Sequence, residues 1–487
     1  MNEMSAIERA AGCFIAGAWH PAASGETIPV ISPSDGEVFA EIAAGGPEDI
    51  DRAVAAAREG FDGGAWSKLT AVDRGRLLMK LGEKIADNAE TLAAIEARDT
   101  GKPMKQARAD MVAAARYFEF YGAAADKVHG ETVPFMAGYQ VQTIHEPYGV
   151  TGHVIPWNYP AQMFGRTLAP ALAMGNAVVL KPAEEACLTP LAIAALSAEV
   201  GFPPGALNVV PGYGHVAGAA LTAHGGVDFL SFTGSPEVGV LVQTEAAKNH
   251  IGCTLELGGK SPQIVFEDAD LDAALPVLAG AIVQNGGQTC SAGSRALIQA
   301  SVWEEVVGRL TARFETLTAG AHDADLDLGG LISARQRDRV QGYVARAGGA
   351  DAPIIARGRV SETAAESGFF VAPTLIGPVA PDHVLAQEEV FGPVLVCIPF
   401  RDEAEAVAIA NGTDYGLVAG IWSRDGGRQM RVAKAMRCGQ VFINGYGAGG
   451  GIELPFGGVR KSGHGREKGF AALYEFSQLK CVVQNHG

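Results

Sequence analysis

Phe229-Leu230-Ser231-Phe232-Thr233-Gly234-Ser235-Pro236 compresses a strand, a turn and a helix start into one short stretch. Phe229 to Phe232 is apolar and aromatic, as a buried strand requires. Ser235 suits an N-cap, because its hydroxyl can accept a hydrogen bond from a first-turn N–H. Pro236 suits the first helical position, where its missing N–H costs nothing. Pro236 to Ala247 then reads as a helix and Thr254 to Leu257 as the next strand. The same alternation runs upstream. Gly149 to Ile155, Ala177 to Leu180 and Leu207 to Val210 read as strands, and Thr189 to Val200 and His215 to Ala223 as helices. Strands alternating with helices imply a parallel sheet with helices on both faces, an α/β fold. Such sheets bind ligands beyond the carboxyl ends of their strands. Asn158, Lys181, Gly212, Gly234 and Glu256 all stand at or just past a strand end, which gathers them into one candidate site.

The helix start at Ser235 presents N–H groups and a positive dipole end, which would hold a phosphate; a plain helix cap explains the same residues equally well. Gly212-Tyr213-Gly214-His215 to Gly218 also follows a strand and opens a helix. Its spacing is G-x-G-x-x-x-G, not the dinucleotide fingerprint G-x-G-x-x-G, so it is a weak pyrophosphate signal.

Nucleophilic chemistry is suggested by Gly286-Gly287-Gln288-Thr289-Cys290-Ser291-Ala292-Gly293-Ser294-Arg295. It lies between an apolar helix, Leu271 to Gln284, and a strand, Arg295 to Gln299. A cysteine on a glycine-rich connection between rigid elements is placed like a nucleophile. A cysteine taken at random is more often a small buried hydrophobe. A second stretch tips the balance. In Thr254-Leu255-Glu256-Leu257-Gly258-Gly259-Lys260 one carboxylate interrupts an apolar strand. A buried carboxylate is costly without a role, and burial raises its pKa toward the range of a base at neutral pH.

These local frames resemble those of the NAD(P)-dependent aldehyde dehydrogenase superfamily, and the resemblance runs in order through nearly the whole chain. It takes in Pro156-Trp157-Asn158-Tyr159-Pro160, Lys181-Pro182-Ala183-Glu184, and Phe232-Thr233-Gly234-Ser235 with Gly239. It continues through Glu256-Leu257-Gly258-Gly259, Gly287-Gln288-Thr289-Cys290, Glu389-Val390-Phe391-Gly392-Pro393 and Pro455-Phe456-Gly457-Gly458. Each motif is weak alone; the ordered set is specific. The resemblance implies a Rossmann-type cofactor domain over 1–124 and 148–257, and an α/β catalytic domain over 258–462. It also implies a β oligomerisation arm and tail over 125–147 and 463–487.

The resemblance implies oxidation of an aldehyde to its carboxylic acid, with Cys290 as nucleophile, Glu256 as the base that activates water, and Asn158 as oxyanion donor. Asn158, before Tyr-Pro, also fits a simple turn. Cofactor contacts are implied at Ile155, Pro156, Trp157, Lys181, Glu184, Gly214, Phe232, Gly234, Ser235, Leu257, Gly258, Gln336, Glu389 and Phe391. In the family the lysine binds the adenosine ribose and the glutamate takes its hydroxyls; outside the family Lys181 and Glu184 read as an ordinary surface pair. Glu184 would repel a 2′-phosphate, which favours NAD over NADP. Pocket positions implied are Tyr159, Met163, Arg166, Thr289, Ser291 and Phe456. Tyr159, Met163 and Phe456 favour an apolar or aromatic aldehyde. Arg166 resembles the arginine that holds a substrate carboxylate in semialdehyde dehydrogenases. Those enzymes usually add an arginine six residues before the nucleophile, where this chain has Gln284. A CoA-acylating dehydrogenase would not need Glu256, and a catalytically silent relative would have lost Cys290, Glu256 or Asn158.

The first quarter offers helices at Asp49 to Gly60, Ala71 to Arg98 and Lys105 to Tyr121, and no residue for chemistry. Val128 to Glu146 reads as a strand pair or long loop, and by resemblance as the arm that meets a partner subunit. Beyond Gly259 come a strand at Gln263 to Phe266, a helix from Val302, a turn-rich zone from Gly348 to Gly368, a strand at Gly439 to Ile443 and a glycine-rich run from Gly445 to Gly451. Leu479 to Val483 is a last strand that would pair with the arm or a neighbour. At 487 residues, two or three domains are expected. A net charge of −16 argues against nucleic acid or an anionic membrane as partner. The seven cysteines form no C-x-x-C pair, so metal or redox-pair binding has no support. The odd cysteine count, the absence of a signal-like segment in Met1 to Gly12 and the lack of any run of membrane-spanning length point to the cytoplasm.

Overall fold

The computed structural model of the chain describes residues 12–447 and 451–487. Residues 1–11 and residues 448–450 of the glycine-rich run lie outside the described residues. An eight-stranded sheet is built around Val150–Ile155. Ala177–Pro182 and then Leu207–Val209 lie to one side of it, and Phe229–Thr233 and then Gly252–Glu256 to the other. These strands run parallel. The order reverses between Val150–Ile155 and Phe229–Thr233, and the crevice outside such a reversal is where sheets of this kind take ligands. Asn158 follows the first of these strands.

The outer strands of this sheet are antiparallel. Cys13–Ile15 and Ala18–His20 close one edge, and Gly463–His464 pairs with Leu255 and Glu256 at the other. The segment from 463, expected as a tail, therefore begins inside the eight-stranded sheet. Helix Ala471–Glu475 then packs on helix Pro160–Met174. Only Ser477–Asn485 leaves the body, and it pairs antiparallel with Tyr139–Pro147 along the full length of both strands.

A second, seven-stranded sheet runs Ile354–Arg357, Thr374–Ile376, Val394–Phe400, Arg295–Gln299, Pro262–Val265, Val418–Trp422, Gln440–Ile443. All its pairings are parallel except the first. Its two faces are covered by separate apolar clusters. One includes Ile264, Leu297, Val396 and Ile421, the other Val265, Ala296, Leu395 and Trp422, as period-two alternation along strands buried on both faces requires.

Local chemistry moves several expected boundaries. The single helix expected over Ala71 to Arg98 is two, Ala71–Asp87 and Ala89–Thr100. Asn88 breaks it: its backbone leaves helical geometry and its Nδ2 donates to the Lys84 carbonyl at 2.8 Å. An asparagine amide that bonds nearby backbone competes with the helix in this way. The helix read as His215 to Ala223 opens with a π turn over Gly214–Gly218 and turns α-helical at Ala219. The helix before Cys290 ends at Val283, one residue early, because Gln284 is extended and Asn285, Gly286 and Gly287 all take positive φ, at 52°, 62° and 75°. The turn-rich zone contains two short strands, Ile354–Arg357 and Arg359–Val360.

Candidate active site

Cys290 stands at the wall of a cavity of about 540 Å³ between the two sheets. Tyr159, Met163 and Arg166 of helix Pro160–Met174 and its N-cap contribute one wall, and Thr289, Cys290, Ser291 and Phe456 another. The six residues expected to form a substrate pocket thus line one cavity. Phe442, Tyr446 and Leu454 add apolar surface, and Gln106, Gln162, Gln284 and Gln440 add neutral polar groups.

The Cys290 loop is fixed by many hydrogen bonds. Tyr159 Oη and Thr289 Oγ1 lie 2.8 Å apart, Gln284 Nε2 donates to Tyr159 Oη at 3.0 Å, and Tyr446 Oη donates to the Ser291 carbonyl at 2.7 Å. Gly287 is obligatory, since a Cβ there would collide with the Gly392 carbonyl. Cys290 itself is half-buried. Burial pushes its thiol up to about 11; Arg166 opposes this, and the Glu389 and Glu256 carboxylates add to it.

Asn158 is buried, and its Nδ2 donates to the Gln288 carbonyl at 2.9 Å. An amide nitrogen carries two hydrogens, so one donor remains for another acceptor. Glu256, at the end of its strand, is 2 % exposed, and neither of its carboxylate oxygens has a hydrogen-bond partner among the described residues. Burial is the first cause that lifts its pKa well above the carboxylate range, the Glu467 charge the second, and Arg166 works against both.

Arg166 occupies the space between these groups. Its Nη2 lies 3.5 Å from Glu256 Oε2, its Nε ion-pairs with Glu467, and its guanidinium lies 4.4 Å over the Phe456 ring. Lys468 approaches the same ring, 5.1 Å from its centre, and lines the cavity. Burial first and Arg166 second push the Lys468 ammonium down to about 7. Glu467 and Lys468 were invisible in the sequence because nothing in Arg466-Glu467-Lys468-Gly469 distinguishes them from a charged surface turn.

The residues expected to hold a cofactor lie between the sheet reversal and the Cys290 loop. Lys181, 2 % exposed, donates to Glu184 Oε2 at 2.7 Å, and Gly214 N donates to Glu184 Oε1 at 3.2 Å. Burial disfavours the Glu184 charge, but Lys181 and these hydrogen bonds outweigh it and its pKa ends below the ordinary value. Ser235 caps helix Pro236–Lys248 through Val238 N, and Phe232 lies in the strand just before. Val238 and Leu241 on that helix and Tyr213 beside Gly214 stay exposed, an apolar rim that suits the flat face of a base. A Cβ at Gly258 would collide with the Glu389 carboxylate, whose Oε1 accepts from Gly259 N at 2.9 Å. Gln336 Nε2 donates to the Phe391 carbonyl at 2.8 Å, and Phe391, at φ 58°, meets the Trp157 ring edge-on with centroids 5.4 Å apart. Ile155, Pro156 and Leu257 continue the floor at the ends of strands Val150–Ile155 and Gly252–Glu256. Charged groups for ribose, a helix N-terminus for phosphate and an apolar rim fit a dinucleotide. Among the described residues no group of three or more His, Cys, Asp or Glu is placed to hold a metal ion, and no helix is long and apolar enough to cross a membrane.

Residues 19–482 match the model of the family described as "Aldehyde dehydrogenase family". The chain is 42% identical over 474 residues to the mitochondrial aldehyde dehydrogenase of Equus caballus, covering 96% of this chain and 94% of that one. It is 41% identical to the mitochondrial benzaldehyde dehydrogenase of Antirrhinum majus, covering 96% and 88%. A solved structure from Burkholderia cenocepacia, assigned to the aldehyde dehydrogenases, is 63% identical, with a TM-score of 0.97 over 98% of this chain and all (100%) of that one. The NAD+ complex of an aldehyde dehydrogenase from Bacillus cereus is 38% identical, with a TM-score of 0.96, covering 99% and 98%.

Proposed function

Because the chain belongs to the aldehyde dehydrogenase family, we propose that it oxidises an aldehyde to its carboxylic acid by covalent catalysis at Cys290, with NAD as hydride acceptor. The observation that carries this reading is the half-buried Cys290 on the wall of a cavity of about 540 Å³, on a loop to which the Asn158 amide is hydrogen-bonded.

The Cys290 sulfur, once deprotonated, adds to the aldehyde carbon, and the carbonyl π pair moves to oxygen. Asn158 Nδ2 and the Cys290 N–H are the donors for that oxyanion, where preorganised donors lower the barrier most. Lys181, Glu184, Gly214, Ser235, Gln336, Glu389 and Phe391 would hold the dinucleotide, the first two at the ribose. NAD, when bound, supplies the hydride acceptor that turns the thiohemiacetal into a thioester. Glu256 then takes a proton from water as its oxygen adds to the thioester carbon. The C–S bond breaks, the acid leaves and the Cys290 sulfur is regenerated. A carboxyl with a raised pKa holds the abstracted proton well, which suits a base.

Tyr159, Met163, Phe456, Phe442 and Leu454 support an apolar or aromatic aldehyde as substrate. The semialdehyde alternative needs Arg166 for a substrate carboxylate, but that guanidinium already faces Glu256 and Glu467. Cys290→Ser should form no NADH with benzaldehyde-like, terpenoid or aliphatic aldehydes while still binding NAD, because an alcohol is a poor nucleophile without a strong base. Retention of more than a small fraction of the rate would rule out the nucleophile assignment.

A further inference from the structure

Asn158 is held at three points. Its Nδ2 donates to the Gln288 carbonyl. Its own backbone carbonyl accepts from Asn285 Nδ2 at 2.8 Å and from Lys102 Nζ at 3.1 Å. Asn285 Nδ2 also donates to the Gln288 carbonyl, at 3.2 Å. One amide nitrogen thus ties together the backbone that carries the amide of Asn158 and the loop that carries Cys290. Asn285 is 4 % exposed, and its backbone N–H, its backbone carbonyl and its Nδ2 are all engaged. Its N–H donates to Gln106 Oε1 at 3.0 Å, and its carbonyl accepts from Gln288 Nε2 at 3.1 Å. Its backbone sits at φ 52°, ψ 32°, a left-handed conformation that asparagine tolerates better than other non-glycine residues. That conformation is what turns the chain out of helix Leu271–Val283 and aims the side chain back at Asn158.

Lys102 braces the same carbonyl from beneath. It is fully buried with Glu96 and Asp110, which it meets at 3.1 and 2.5 Å, and it lies 4.7 Å over the Tyr159 ring. Glu96 Oε2 accepts from Ala161 N at 3.1 Å and Asp110 Oδ1 from Gln162 Nε2 at 2.7 Å, so the cluster also fixes the first turn after Asn158.

We propose that Asn285, braced by Lys102, is a positioning residue that sets the distance between the Asn158 amide and Cys290. The proposal rests on the reading of Asn158 as oxyanion donor. Misplacing a donor by a fraction of a hydrogen-bond length removes much of its effect on a developing charge, whereas attack by sulfur on a saturated carbon develops no oxyanion and does not use it.

The test is to compare two reactions of the same thiol in the full-length enzyme: aldehyde oxidation, and alkylation of Cys290 by iodoacetamide. Asn285→Gly removes the side-chain donors and keeps the positive φ. Asn285→Asp keeps the shape and turns the donor into an acceptor facing two carbonyls. Both should lower kcat for aldehyde oxidation at least tenfold, with the Kd for NAD and the Cys290 alkylation rate within about twofold of the parent, since tenfold needs only ~1.4 kcal/mol at the transition state. Oxidation and alkylation falling together would show that Asn285 merely holds the loop, and unchanged oxidation in both variants would also overturn the proposal. Asn158→Ala serves as the third arm. If it retains oxidation, the oxyanion reading itself fails. If it loses oxidation while the Asn285 variants do not, only the positioning role fails.

Discussion

Arg166 Nη2 lies 3.5 Å from Glu256 Oε2, and both side chains are almost wholly buried. The same guanidinium ion-pairs with Glu467 through Nε. One cation therefore stands between two carboxylates at the back of the cavity that Cys290 opens into. That arrangement shifts Arg166 from a receptor for substrate charge to a partner of Glu256, the proposed base.

Arg166→Met should lower the rates with benzaldehyde and with an acidic semialdehyde by similar factors, because the lost partner is Glu256 and Glu467 rather than substrate. It should also destabilise the fold by about 3–5 kcal/mol, the range for breaking a buried pair and leaving one charge behind. A rise in KM confined to the semialdehyde would show that Arg166 binds substrate after all. Urea unfolding of the variant measures the stability change.

Thiol reactivity should depend steeply on pH. Burial pushes the Cys290 pKa up to about 11 before any cofactor binds. Below that value the thiolate is the minor form, so its fraction rises as pH rises. The thiolate is the reactive species, and iodoacetamide alkylation of cofactor-free enzyme should therefore climb close to tenfold per pH unit from pH 7 to pH 9. A plateau near neutral pH would mean that the thiol is already ionised in the free enzyme.

Much of this site could be read from the chain, and the reasons it could are local. Cys290 and Glu256 stood out because each is the wrong residue for its surroundings, a thiol among glycines and a carboxylate in an apolar strand. Ser235-Pro236 could be read because helix capping obeys a rule of adjacent residues. Lys102, Asn285 and Glu467 could not be read that way. Their importance arises where three distant segments converge on Asn158 and Glu256, and their own neighbours give no sign of it. Arg166 was visible, but the sign of its role depended on Glu467, hundreds of residues away. The break at Asn88 shows the same limit in the fold, since one side-chain hydrogen bond outweighed a continuous apolar stripe.

NAD should be preferred over NADP. Glu184 is held by Lys181 and Gly214 N, and its charge is maintained by them. A 2′-phosphate beside it meets repulsion of order 1 kcal/mol or more. Glu184→Ser should raise kcat/KM with NADP relative to NAD. Equal kcat/KM values for the two cofactors in the parent enzyme would refute the argument.

The paired strands Tyr139–Pro147 and Ser477–Asn485 leave apolar side chains in solvent, with Leu479 62% and Val483 55% exposed. A two-stranded ribbon of this kind is marginal alone and exposes its edges for pairing with another chain. The protein should therefore assemble as a dimer or as a tetramer of dimers. Light scattering at the mass of one 50.5 kDa chain, at micromolar protein, would contradict this. Deletion of residues 479–487 should weaken the assembly; an unchanged mass would remove only the tail from the interface.

The most direct measurement of the division of labour between Cys290 and Glu256 is mass spectrometry of Glu256→Gln quenched after mixing with NAD and an aromatic aldehyde. The expected result is one fast turnover of NADH per active site followed by a slow steady rate, with Cys290 carrying the acyl group. An unmodified Cys290 together with NADH formation at the parent's steady rate would contradict both the covalent intermediate in this form and the role of Glu256 in its hydrolysis.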